Sequence, residues 1–254
     1  MKQIETYIIN LKRSVNRKNF IWGETDKYPF LNRELIEAID GRLLSEEELN
    51  MQFDRKHFEN IYARSPFPGE IGCTLSHLKC YQKLLDSDEA VALILEDDIH
   101  FLHEQDTKYL LQDATRILEN APATLLYLQP PLLCWRFGRK QIGRGYSIYS
   151  MWNGLGSAMY LINRKGAEKI LSCKRPYWLA DHYELFRLKG VHIRTIYPTF
   201  ATIDENIAEN SDISMNVDVR LPRNLRGFYY RARIWIIKQV PFILKCLGLL
   251  KLVR

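Results

Sequence analysis

The sequence predicts an α/β protein with a mostly parallel sheet flanked by helices, and three observations carry that prediction. Val91 to Leu95 is an unbroken run of Val, Ala, Leu and Ile, which suits a strand covered on both faces rather than one with a wet side. Strand-like and helix-like stretches alternate along the chain from its first residues. The 254 residues also suffice for one large domain with a sizeable core.

Taken in order, Ile4 to Ile9 reads as a first strand ending at Asn10-Leu11. The basic stretch Lys12 to Lys18 opens a helix on which Arg13 and Arg17, four apart, share a face. Glu34 to Ile39 reads as a second strand closed by the Asp40-Gly41 turn, and Ser45 with Glu48 forms a capping-box pattern that starts a short helix. After the loop Pro66-Phe-Pro-Gly69, the segment Glu70 to Leu85 repeats apolar residues at a helical period, at Ile71, Leu75, Leu78, Tyr81, Leu84 and Leu85. Ser76 and His77 lie on that helix. The Val91–Leu95 strand follows, then a helix near Lys108 to Leu118 and a strand Thr124 to Leu128 stopped by Pro130-Pro131. Trp135 to Met151, rich in Gly, Arg and aromatics, is expected to be a mobile loop. Ser157 to Ile162 makes a strand, Arg164 to Leu171 a helix and Arg194 to Tyr197 a short last strand, with no internal repeat.

Charge divides the chain. The net +6 comes from the C-terminal end: Val219 to Arg254 holds nine Lys or Arg and no acid, leaving residues 1–218 with 27 basic against 30 acidic side chains. That distribution argues against a nucleic-acid groove across the main domain and for a local anionic partner such as phospholipid. The expected division is therefore a domain over 1–218 and a basic amphipathic tail over 219–254. In the tail, Arg231, Lys238 and Lys245 recur every seven positions, and Pro241 to Val253 is too short and too charged to span a bilayer. Two readings stand for it: an interfacial membrane helix, or a helix covered by a partner or by the core. The five cysteines are odd in number, dispersed and without C-x-x-C pairing, and the N-terminus has no long apolar region. Both are expected of an intracellular chain with reduced thiols.

Directly behind the apolar strand stand Glu96, Asp97 and Asp98. Ligands collect at the carboxyl ends of such strands, and alternation along an extended backbone would put Glu96 and Asp98 on one face with Asp97 on the other. Two carboxylates held together favour a compensating hard cation such as Mn²⁺ or Mg²⁺. The residues alone leave a metal site and a solvated acidic turn both open.

An ordered set of blocks breaks the tie. Tyr7-Ile-Ile-Asn-Leu-Lys-Arg13 with Arg17, Ala38-Ile-Asp-Gly41, Pro68-Gly-Glu-Ile-Gly-Cys-Thr-Leu-Ser-His77, Leu93-Ile-Leu-Glu-Asp-Asp98 and Gly156-Ser-Ala-Met-Tyr-Leu-Ile-Asn-Arg-Lys-Gly-Ala167 together resemble glycosyltransferase family 25 over roughly residues 3–215. That family includes bacterial lipooligosaccharide galactosyltransferases and collagen galactosyltransferases.

The resemblance implies a GT-A-like, Rossmann-type fold and an inverting, metal-dependent enzyme. Such an enzyme would move a hexose, galactose from UDP-galactose first and glucose as the nearest alternative, onto a lipooligosaccharide acceptor. Glu96 and Asp98 are expected to hold Mn²⁺ or Mg²⁺, with Asp97 on the ribose or sugar. Asn10, Leu11, Arg13 and Arg17 are expected on uridine or phosphate, Asp40 on a ribose hydroxyl with Gly41 making the turn, and Ser76 and His77 in the donor site. For the arginines a solvated helix face, and for His77 a satisfied core histidine, are the plain alternatives. The base that takes the acceptor's proton falls on Asp181, in the place of the family's second acidic motif, with His182 and Glu184 as rivals. Here Leu179-Ala180 precede that Asp, and Pro176 lies further back than the family's usual proline. Trp135, Tyr149 and Trp152 offer aromatic faces for sugar rings, which would make 135–153 an acceptor lid or simply core.

A UDP-hexose donor, a lipooligosaccharide acceptor and an anionic membrane surface are thus the expected partners, at the inner face of a bacterial inner membrane. Two other classes compete: a catalytically silent sugar-binding member, and a metal-dependent phosphohydrolase or nucleotidyltransferase.

Overall fold

The structure, a computed structural model, describes residues 3–208, 240–241 and 243–252. The N-terminal half runs β1 (Ile4–Asn10), α1 (Val15–Asp26), β2 (Leu31–Glu37), α2 (Glu46–Gln52), α3 (Arg55–Tyr62), α4 (Pro68–Asp86), β3 (Val91–Glu96), β4 (Ile99–Phe101) and α5 (Glu104–Glu119). The second half continues with β5 (Thr124–Tyr127), β6 (Pro131–Trp135), β7 (Lys140–Gly143), β8 (Tyr146–Gly154), β9 (Met159–Asn163), α6 (Arg164–Leu171), α7 (Tyr183–Leu188), β10 (His192–Tyr197), β11 (Ala201–Ile203), α8 (Glu205–Ala208) and β12 (Leu250–Leu252).

One sheet in the order β12-β6-β8-β10-β5-β9-β3-β1-β2, with β7 paired to β8, organises the molecule. Its β2-β1-β3 edge is parallel, built by crossovers through α1 and the α2–α4 segment, and this is the Rossmann-type part of the α/β fold. Antiparallel β9 joins β3 to β5, β5 and β10 pair in parallel, and β8, β6 and β12 extend the sheet with antiparallel strands. The parallel character therefore lies where the site forms, and the sheet as a whole is mixed.

Both faces are covered, as the unbroken β3 run requires. Leu93 and Leu95 join Ile8, Leu110, Leu111 and Leu161 in one core layer, while Ala92 and Ile94 join Tyr7, Tyr81, Tyr160 and Trp178 in the other. The period-2 alternation continues to Glu96, which projects on the same side as Ala92 and Ile94, toward α4.

Most expected elements form. The capping box exists as read: Ser45 Oγ accepts from the Glu48 N–H, and the Glu48 carboxylate accepts from the Ser45 N–H. Leu31–Glu37 forms β2, displaced toward the N-terminus from the expected Glu34–Ile39, because Ala38 to Gly41 instead turn against α4.

The expectation of a mobile loop over Trp135 to Met151 is corrected. Those residues form the end of β6, then β7 and β8, with Tyr146, Ile148, Tyr149 and Met151 buried. The glycines that looked like loop punctuation make one tight hairpin turn, where Gly143, Arg144 and Gly145 all adopt positive φ. Trp135 and Trp152 meet edge to face at 5.3 Å between centroids, and Tyr149 packs on Tyr197, so the three aromatics are sheet packing rather than a lid.

The expected boundary at 218/219 and most of the basic tail lie outside the described residues. At the chain's end, β12 pairs with β6 and the Leu249 carbonyl accepts from the Arg136 N–H, so this segment returns to the sheet edge. Among the described residues no helix is long and apolar enough to cross a membrane.

Candidate active site

Three chain segments leave the parallel strands at their carboxyl ends and enclose one cavity of about 110 Å³. Its wall takes Asn10, Leu11 and Arg17 from β1 and α1, Asp40 and Gly41 from the turn after β2, Ser76 and His77 from α4, and Glu96, Asp97 and Asp98 from the end of β3. Every donor- and metal-site residue expected from the sequence is here except Arg13, which stands just outside and pairs with Asp40. Arg42, a residue the sequence reading passed over, also lines the cavity and lies 3.4 Å from Asp40.

The turn after β2 is held by close backbone approach. A Cβ on Gly41 would stand 1.8 Å from the Pro68 carbonyl oxygen, and one on Gly72 would stand 2.3 Å from that of Ile39. Ser76 completes the lock: its hydroxyl accepts from the Ile39 N–H at 2.8 Å and donates to the Gly72 carbonyl at 2.7 Å. Ser76 thus positions the turn, and Gly41 is there because no side chain fits.

The acids do not follow the alternation expected of an extended strand. β3 ends at Glu96, and Asp97 and Asp98 form a turn before β4. As a result Asp97 and Asp98 both face Arg17, while Glu96 faces His77. Arg17 Nε donates to Asp97 Oδ1 at 2.8 Å and its Nη2 to Asp98 Oδ2 at 2.9 Å. Asn10 Nδ2 donates to Asp97 Oδ2 at 2.6 Å and to the Ser14 carbonyl at 3.1 Å, tying the acid to the start of α1.

On the other side, Glu96 Oε1 accepts from Ser157 Oγ at 2.9 Å and lies 3.2 Å from His77 Nε2. The His77 Nδ1 lies 2.8 Å from the Tyr160 hydroxyl. His77 is buried, and its ring bridges Tyr160 on β9 to Glu96 at the end of β3. Ser157 and Tyr160 were missed as site residues although both stand in the Gly156–Ala167 block. Ser157 stands two residues before β9 and Tyr160 on it, and the sequence carries no signal of which way they face until β9 is paired with β3.

Three of the carboxyls titrate unusually. Burial, reinforced by the neighbouring Glu96 charge, pushes Asp98 up to about 7 despite Arg17. Burial also raises Asp97, though Arg17 and Asn10 oppose it. For Glu96 burial is outweighed by the hydrogen bonds from His77 and Ser157 and by the Arg17 charge, and its pKa falls.

Asp98 Oδ1 is the telling atom. It is buried and has no hydrogen-bond partner, an arrangement that costs on the order of 1–3 kcal/mol unless something binds it. Oxygen donors, a carboxyl poised to lose its proton and an orphaned oxygen fit a hard divalent cation.

Asp181 is not part of the cavity wall. Its Oδ2 accepts from the Gly156 N–H at 3.1 Å, one residue before Ser157, and burial raises its pKa. Gly156 has φ +74°, and the Leu155 and Gly156 carbonyls accept from Tyr127 and Tyr183, so this loop is fastened from three sides. Of the rivals, His182 is engaged through Nδ1 by the Tyr62 hydroxyl, and Glu184 is half-buried in the first turn of α7.

Fold and site define an α/β protein with an acidic, arginine-clamped cavity at the carboxyl ends of parallel strands, the position where such sheets bind their ligands. The chain belongs to glycosyltransferase family 25: the family model described as glycosyltransferase family 25 (LPS biosynthesis protein) matches residues 3–183. A "Glycosyltransferase 25 family member" of Aedes aegypti is 32% identical over 179 residues, covering 66% of this chain and 28% of the relative. The human "Procollagen galactosyltransferase 2" is 26% identical over 179 residues, covering 66% of this chain and 27% of the relative. The chain thus spans little more than a quarter of the curated relatives it matches. Among solved structures, a Drosophila β-1,4-galactosyltransferase 7 variant in complex with manganese, UDP-Gal and xylobiose aligns with TM-score 0.45 and 9% identity, covering 85% of this chain and 77% of that one.

Proposed function

We propose that this chain is an inverting hexosyltransferase that moves galactose from UDP-galactose to the hydroxyl of an acceptor sugar, using a divalent cation. The observation that carries the reading is the orphaned Asp98 oxygen inside a cavity that also gathers Asn10, Arg17, Asp40, His77 and Glu96. The family supports the reaction class, and galactosyltransferase relatives support the sugar.

Asp98, with Glu96, would hold Mn²⁺ or Mg²⁺, which neutralises charge on the departing diphosphate. Arg17 supplies a fixed positive charge beside the same acids, so the metal-free site is not left with three bare carboxylates. Asp40, anchored by Arg13 and Arg42, presents a carboxylate for a ribose hydroxyl, and Leu11 offers an apolar edge to the base. A cavity this small takes only part of a nucleotide sugar, and the remainder would extend beyond its wall. Asp181, with its pKa raised, accepts the proton of the acceptor hydroxyl as the bond to the anomeric carbon forms from the face opposite UDP.

The acceptor we favour is a lipooligosaccharide at the inner face of a bacterial inner membrane. The family description and the basic C-terminal residues, free of acids, support it. Relatives named procollagen galactosyltransferases support a second acceptor class, a protein-bound one. A screen of UDP release tests both: UDP-galactose, UDP-glucose and UDP-N-acetylglucosamine against lactose- or glucose-terminated oligosaccharides and a procollagen peptide. Release only with the oligosaccharides supports the first acceptor, and release only with the peptide replaces it with the second.

A further inference from the structure

Cys73 and His77 stand one helical turn apart on α4, so their side chains share a face. That face meets Glu96 at the end of β3, and one ligand atom from each of the three lies within 4.8 Å of the others. Sulfur, imidazole nitrogen and carboxylate oxygen in one cluster differ in kind from the carboxylates of Asp97 and Asp98, which offer oxygen ligands alone.

The spacing is close to what one ion requires. With bonds of about 2.0–2.3 Å, ligand atoms on a tetrahedral Zn²⁺ stand roughly 3.3–3.8 Å apart. His77 Nε2 is already 3.2 Å from Glu96 Oε1, so a contraction of about 1 Å elsewhere closes the set. All three residues line the cavity, which leaves a fourth position for water.

The surroundings of His77 allow the necessary tautomer. In the metal-free cluster Nε2 faces the Glu96 carboxylate and the Ser157 oxygen, whose own proton goes to Glu96, so Nε2 carries the hydrogen. An ion needs that nitrogen's lone pair, and the hydrogen must then sit on Nδ1. The partner of Nδ1 is the Tyr160 hydroxyl, itself 2.8 Å from the Tyr81 hydroxyl, and hydroxyls donate or accept as required. A ring whose second nitrogen is held by such a partner is the usual form of a metal-binding histidine.

We propose that Cys73, His77 and Glu96 form a second metal site, selective for soft or borderline divalent ions and for Zn²⁺ above all. On binding, the Cys73 thiol releases its proton to solvent, and the thiolate and carboxylate cancel the charge of the ion. Thiolate ligation disfavours Mn²⁺ and Mg²⁺, so the two sites sort ions by softness. Because Glu96 is common to both, a soft ion here withdraws a ligand from the hard site. Metal binding by these three residues does not depend on the transfer reaction.

The test uses the full chain stripped of metal, with Co²⁺ as the spectroscopic probe. The expected result is a sulfur-to-cobalt charge-transfer band in the near ultraviolet that saturates at one equivalent, disappears with Zn²⁺, resists excess Mg²⁺ and is absent in Cys73→Ser. In wild-type protein, Zn²⁺ but not Mg²⁺ should also protect Cys73 from alkylation, read cysteine by cysteine by mass spectrometry. Co²⁺ binding without a thiolate band, a band that survives in Cys73→Ser, or alkylation of Cys73 unchanged by Zn²⁺ would each overturn the proposal.

Discussion

Arg17 engages Asp98 through one carboxylate oxygen at 2.9 Å and leaves the other oxygen of that side chain buried without a partner. The guanidinium balances part of the acidic charge, and the free oxygen is where the proposed cation would bind. Asp98→Asn should therefore abolish stabilisation by Mn²⁺ while leaving the metal-free melting temperature equal or higher, since a buried carboxylate raised to about 7 is replaced by a neutral amide. Thermal melts with and without Mn²⁺ check this, and a metal-induced shift that persists in the variant contradicts it.

Removing the arginine should act in the opposite direction. Arg17→Ala leaves Asp97 and Asp98 without their cation, and breaking a largely buried pair costs about 3 kcal/mol. The loss should be greater near pH 8 than near pH 5, where Asp98 is protonated and repulsion is smaller. Urea unfolding at both pH values measures it.

The metal-free protein should become more stable on mild acidification. Asp98 is raised from an ordinary value of 3.8 to about 7, so between those values the folded state holds a proton that the unfolded chain has lost. Stability therefore falls as pH rises through that window, and Asp97 and Asp181, also raised, add to it with the same sign. Glu96 is lowered and contributes the opposite slope, only below its ordinary value of 4.5. Melts in a chelator from about pH 5 to pH 8 should show a declining midpoint, and Mn²⁺ should offset the decline, because the ion competes with the Asp98 proton.

Gly41→Ala should damage the proposed donor cavity without touching an acid. A new Cβ 1.8 Å from the Pro68 carbonyl forces the turn away from α4, at a cost of about 1–3 kcal/mol, and moves Asp40 with it. Calorimetric titration with UDP should show weaker binding in this variant, and unchanged affinity would remove the turn from the donor site.

Much of this was legible in the sequence, for identifiable reasons. The β3 run, the Ser45 capping box and the α4 period report local geometry, and each formed close to where it was read. The partition of the acids was not legible, because it depends on where β3 ends: the turn at Asp97-Asp98 sends both acids to Arg17, 80 and 81 positions away in sequence. The β6–β8 ribbon was misread as a loop because Gly143 and Gly145 look alike in a hairpin turn and a disordered segment. Its long-range pairing with β10 decides between them. Ser157 became a site residue only through the antiparallel register that lays β9 beside β3.

Asp181, the proposed base, supplies a cleaner probe of chemistry than any cavity residue, since it does not line the Asp98 cavity. Asp181→Asn keeps its shape and its hydrogen bond from Gly156 while losing the base, so kcat should fall by roughly 10²–10⁴ with UDP affinity unchanged. Parallel loss of UDP binding would make it a structural residue, and the base would pass to His182 or Glu184.

Hexose transfer at the Asp98 cavity is tested by mass-spectrometric detection of a hexosylated acceptor. With UDP-galactose, Mn²⁺ and a lactose- or glucose-terminated oligosaccharide, the expected products are acceptor extended by one hexose together with UDP. Extension should be lost in a chelator and in Asp98→Ala. UDP bound but no extended acceptor with any donor, or extension that survives in Asp98→Ala, would contradict it.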